Sequence, residues 1–115
     1  MIHPGPAAKV YVVCGPTDMR KGFNGLCALV ETHLKQDPRL GHLFVFCNRQ
    51  RTRLKALCWD GSGLWVCAKR LERGRFHWPD DRQAVKTLTA EAWMMLVGGL
   101  DLSRVKARKW YRTSV

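Results

Sequence analysis

Acidic residues are scarce in this chain. Nine Asp and Glu stand against twenty Lys and Arg among 115 residues, giving a formal net charge of +11 and an isoelectric point near 10. A chain so charged repels itself without counter-anions, so a phosphate-rich partner is the economical reading. Long apolar runs are also missing. Residues 43–47 and 92–97 are the longest strongly apolar stretches, far too short to cross a bilayer, so no membrane partner is expected. Met1-Ile2-His3-Pro4-Gly5-Pro6 lacks the basic-then-apolar signature of a secretory leader, and a cytoplasmic location is expected. There is no CxxC pair. The cysteines (Cys14, Cys27, Cys47, Cys58, Cys67) are odd in number and scattered among apolar neighbours, which marks them as reduced thiols in or near a core.

Catalytic patterns are equally sparse. His3, His33, His42 and His77 stand alone, none at ligand spacing from a cysteine, so neither a zinc site nor any other cofactor is expected. No Ser/His/Asp or Cys/His arrangement stands out, and no Gly-rich phosphate loop follows a strand. A metal-dependent nuclease would need a set drawn from Asp60, Asp80, Asp81, Glu91 and Asp101. Asp60 and Asp101 suit turns, Asp80 and Asp81 follow Pro79 in a loop, and Glu91 suits the first turn of a helix. No enzyme is expected.

What the chain does have is the composition of one folded domain, with 46% hydrophobic residues. Residues 9–14 read as a β-branched strand punctuated by Gly15-Pro16. Met19, Phe23, Leu26, Val30 and Leu34 then recur at helical spacing, predicting a helix to about Lys35 capped by Thr17 or Asp18 and stopped by Asp37-Pro38. Residues 43–47 predict a central strand. Residues 53–59 and 64–70 predict two more, joined by a turn at Asp60-Gly61-Ser62-Gly63. Residues 73–79 read as extended or irregular, and residues 88–97 as a short helix capped by Thr87 or Thr89 and ended by Gly98-Gly99. The expected fold is a small α+β domain with a mainly antiparallel sheet over residues 1–102. A flexible basic arm over residues 103–115 is expected to follow it.

Three groups of cations are candidate nucleic-acid contacts. Arg49, Arg51, Arg53 and Lys55 are spaced by two, so an extended backbone puts them on one face. A symmetric hairpin register sets Arg53 opposite Arg70, a like-charge pair that a bound phosphate would relieve. Lys69, Arg70, Arg73 and Arg75 continue this surface, with Phe76, His77 and Trp78 beside them as stacking or packing rings. Arg20 and Lys21 oppose the dipole of the predicted first helix unless an anion sits there. Arg108 and Lys109, with Trp110 and Tyr111, lie in the predicted arm.

Taken together, these motifs resemble one family: TnpB, the accessory protein of the insertion-sequence-sixty-six group of bacterial mobile elements. The matching residues are Gly15-Pro16-Thr17-Asp18-Met19-Arg20-Lys21-Gly22-Phe23 with Gly25-Leu26, and Gly41-His42 with Phe44-Val45-Phe46. Arg53, Lys55, Leu57 and Trp59-Asp60-Gly61 follow, then Lys69 through Phe76 with Trp78-Pro79. The resemblance spans nearly the whole chain. It implies a helper encoded beside a separate transposase, needed for efficient transposition, and carries over no catalytic residue. The same name is used for an unrelated RNA-guided nuclease, for which this chain is far too short. The expected partners are therefore the DNA of the element ends and the transposase. The alternative is a module that docks on the transposase without touching DNA, with Trp78 and Trp110 as anchors.

Overall fold

The computed structural model describes residues 8–80 and 82–98. In chain order the elements are β1 (Val10–Val13), α1 (Phe23–His33), β2 (Leu43–Cys47), β3 (Arg53–Trp59), β4 (Leu64–Arg70), β5 (Val85–Leu88) and α2 (Ala90–Val97). The described strands form one five-stranded sheet in the order β4-β3-β2-β1-β5. β2 is buried at every position, as a strand apolar on both faces requires.

The α+β expectation holds for a small domain with a mixed sheet and two helices. Three of the strand pairings are antiparallel and one, β1 with β2, is parallel. The parallel pair follows from the long connection through α1, since a crossover of that length is what parallel neighbours need. Nothing in the sequence pattern announces β5. It is short, polar at Lys86 and Thr87, and held by β1 alone, so its residues carry little strand signal. Leu88 accordingly ends a strand and does not begin a helix. α2 starts one residue after Thr89, whose hydroxyl accepts the Ala92 N–H at 3.1 Å.

α1 is shorter than the apolar spacing suggests, and neither Thr17 nor Asp18 caps it. Asp18 instead folds its own neighbourhood into a turn, accepting the Arg20 N–H at 2.9 Å. Gly22 is the extended cap residue and supplies no side-chain acceptor. Arg20 and Lys21 therefore precede the helix and do not lie in its first turn.

The sheet is covered on both faces. Leu26, Cys27 and Val30 of α1 pack on Phe44, Phe46 and Leu57. Trp93, Leu96 and Val97 of α2, with Phe76 from the loop after β4, pack on Val10, Val12, Leu43, Val45, Cys47, Leu54, Ala56 and Cys58. Truncating Phe44 or Phe46 to Ala should cost about 3–5 kcal/mol. Cys14, Cys27, Cys47 and Cys58 are buried and none of the five cysteines is in a disulfide. Burial pushes the Cys47 and Cys58 thiols up, away from the reactive thiolate.

Candidate nucleic-acid interface

The topology brings the loops together before any charge is considered. Because β1 and β2 are parallel, both finish at the same end of the sheet. β3 begins there, β4 finishes there and β5 begins there, as the pairs Cys47↔Leu54, Arg53↔Arg70 and Val13↔Val85 require. Residues 14–22, 48–52, 71–80 and 82–84 thus share one end of the sheet. Backbone hydrogen bonds stitch them: Thr17 N–H to the Cys47 carbonyl (2.7 Å), Leu71 N–H to Thr52 (2.8 Å) and Phe76 N–H to Arg51 (2.7 Å).

These loops and strand ends carry Arg20, Lys21, Arg49, Arg53, Arg70, Arg73, Arg75 and Arg82, all exposed. The described carboxylates at this end are Asp18, Glu72 and Asp80, and each is taken by an arginine two positions away. Asp18 meets Arg20 at 2.8 Å, Glu72 meets Arg70 at 3.2 Å and Asp80 meets Arg82 at 3.0 Å. The Arg20 guanidinium and backbone N–H hold the Asp18 carboxyl down at about 2. The Asp80 carboxyl is lowered in the same way by Arg82. Such exposed pairs add little stability, but they offset the charge of these three carboxylates. Among the described residues, no carboxylate partners Arg49, Arg53, Arg73 or Arg75.

Arg53 and Arg70 sit directly opposite each other across β3 and β4, in the register that the hairpin predicts. They border a shallow groove of about 530 Å³, lined also by Met19, Lys55, Ala68 and Glu72. Lys55 reaches across to the Lys21 carbonyl at 2.9 Å and so ties the loop before α1 to this face.

Other predicted contacts part company with this set. Lys69 alternates onto the opposite face of β4, where its ammonium donates to the Val97 carbonyl at 2.6 Å and closes the C-terminus of α2. Arg51 does not share a face with Arg49 and Arg53, because the backbone is extended only from Arg53 onward. Its φ of 61° turns it inward. There its guanidinium donates to the Cys14 carbonyl at 3.0 Å and stands 5.9 Å from the centre of the Trp78 ring. Arg108 and Lys109, and the arm as a whole, lie outside the described residues.

The rings differ most from expectation. Phe76 is core, and Trp78 is half-buried with its indole N–H donated to the Val13 carbonyl at 2.9 Å. Neither is a free stacking platform or a protein anchor. Among the described residues, the exposed indole is Trp65, which the motifs did not single out. Asp60 accepts its N–H at 2.7 Å while also accepting the backbone N–H groups of Ser62 and Gly63. Those donors, the Trp65 indole first, hold the Asp60 carboxyl well below the usual range. The signal in the sequence was the alternation of β4, which sets Trp65 two and four residues from Cys67 and Lys69 on the same face. Among the described residues, no group of three or more His, Cys, Asp or Glu is placed to hold a metal, and no helix is long and apolar enough to cross a membrane.

Comparison with known proteins adds to this picture. The sequence pattern of the family described as IS66 Orf2-like protein matches residues 8–107. The uncharacterized protein y4jC of Sinorhizobium fredii (strain NBRC 101917 / NGR234) is 40% identical over 108 residues, covering 94% of this chain and 92% of its own length. The uncharacterized protein y4hO of the same strain is 36% identical over 115 residues, covering 100% of this chain and 99% of its own. No solved structure matches.

Proposed function

The chain belongs to the IS66 Orf2-like family, and on that premise we propose that it is a non-enzymatic accessory factor that binds DNA through the basic end of its sheet and assists a separately encoded transposase. The family places the chain in insertion-sequence transposition. The observation that supports the DNA contact is the set Arg49, Arg53, Arg73 and Arg75, exposed at the same end of the sheet as Arg70 and, among the described residues, without carboxylate partners. Such guanidiniums neutralise phosphates, and each phosphate engaged releases counter-ions.

Binding of the purified protein to labelled element-end DNA across a salt series tests this. Arg53→Ala with Arg70→Ala should weaken binding and flatten the slope of log K against log[salt] by about 0.9 for each duplex phosphate no longer neutralised. An unchanged affinity in that double variant would reject the surface. One observation favours a second reading, in which the protein docks on the transposase. Trp65 is 55% exposed and its orientation is locked by Asp60, as suits a protein anchor. If Trp65→Ala abolishes transposase association while DNA binding is absent from the wild type, the docking reading prevails.

A further inference from the structure

Cations can hold a single strand or a duplex, and the rings at the basic end discriminate between them. A protein that follows a single strand pairs its cations with exposed aromatic faces on which successive bases stack, at about 1–3 kcal/mol per base. Among the described residues, the rings of the loop after β4 are committed internally. Phe76 is 2% exposed and lies edge-on to Trp78, with centroids 6.4 Å apart. Trp78 is tethered through its N–H to Val13, and the Arg51 guanidinium occupies a π-face that a base would otherwise take. His77 is exposed but already engaged in an interaction of its own. Trp65 lies at the opposite end of the sheet, beside the turn at residues 60–63. Phe23, 49% exposed at the start of α1, is a lone ring where a track needs several.

Reading of base edges is also poorly served. In the major groove that task takes a helix or a two-stranded ribbon. Both helices lie against the sheet, and the loops at the basic end are pinned by the backbone bonds of Thr17, Leu71 and Phe76. What the described residues of this end present is mainly guanidinium groups on loops tied together at Thr17, Leu71 and Phe76. Building on the DNA-binding reading above, we infer that this end grips the phosphate backbone of duplex DNA without reading its sequence. Recognition of the element ends then falls to the transposase.

The test uses the full chain and three labelled probes of equal length: an element-end duplex, a scrambled duplex of the same composition, and a single strand. The two duplexes should bind within about threefold of each other and the single strand about tenfold more weakly at the same salt. Phe23→Ala should change none of these affinities. A single strand bound as tightly as the duplex, or a preference of about tenfold for the element end over the scrambled duplex, overturns the inference and leaves the DNA-binding reading standing. Failure of all three probes to bind at low salt removes that reading, and the inference with it.

Discussion

The guanidinium of Arg51 stands 5.9 Å from the centre of the Trp78 ring while donating to the Cys14 carbonyl at 3.0 Å. One side chain therefore joins the end of β1, the loop between β2 and β3, and the loop after β4. Trp78 completes the tie by donating to Val13. Arg51→Ala should destabilise the fold by about 1–3 kcal/mol by removing the hydrogen bond and the cation–π interaction together. Arg53→Ala should leave stability within about 0.5 kcal/mol of wild type, as exposed substitutions do. Thermal melts of the two variants, set beside their DNA affinities, check this division. Equal loss of stability in both contradicts it.

Lys69 belongs with the structural group. Its ammonium meets the Val97 carbonyl at 2.6 Å, where a cation also suits the negative end of the helix dipole. Lys69→Met keeps the stem packed and removes the charge. The expected cost is about 0.3–1 kcal/mol of stability with no change in the salt slope of DNA binding. A slope flattened by about 0.9 would return Lys69 to the interface.

Gly61 holds the turn between β3 and β4 at φ +99°, a conformation that side chains resist. Gly61→Val should destabilise the protein by about 1–2 kcal/mol, read as a lower melting temperature. Loss of DNA binding with an unchanged melt would instead make that turn part of the interface.

Acid should loosen the turns that Asp18 and Asp60 organise. Both carboxyls are held below the ordinary value of 3.8, Asp18 at about 2. A depressed folded-state pKa means the contribution is complete above the unfolded value and is lost as pH falls through the folded one. The Asp18 contribution therefore disappears between about pH 4 and pH 2. Asp18→Asn with Asp60→Asn should flatten the stability curve in that acid window and do little to its shape near pH 7. Denaturant melts at stepped pH measure it, and an unchanged acid limb would count against these two groups.

Arg73 and Arg75 flank Gly74, which takes φ +72° and turns this stretch tightly. Arg73→Ala with Arg75→Ala should leave a folded, soluble protein, since both side chains are exposed and unpaired among the described residues. Transposition frequency should drop sharply. A frequency equal to wild type sinks the assignment of this loop to the working surface.

Much of this was legible in the residues. The bounds of β2, β3 and β4 follow from their apolar patterns and the turn at residues 60–63, and the opposition of Arg53 and Arg70 follows from that turn's register. β5 was not legible, because a four-residue edge strand with two polar positions is defined by its partner and not by its own pattern. Nor was the true start of α1, where an Asp18 side chain competing for the backbone overrode the helical spacing.

By itself the sequence determined the charge, the family motifs, the central strand and the supply of arginines. It also determined that the like-charged pair on β3 and β4 would share a face, since the short turn at residues 60–63 sets the register locally. The tertiary structure alone decided which cations share one end of the sheet. The parallel pairing of β1 with β2 gathered residues 14–22, 48–52, 71–80 and 82–84 at one end. That packing turned Arg51 inward and sent Lys69 to α2. It also sank Phe76 and tethered Trp78, leaving Trp65 as the exposed indole among the described residues. Contacts between residues far apart in the chain are set by burial and backbone pairing, and no local pattern encodes them.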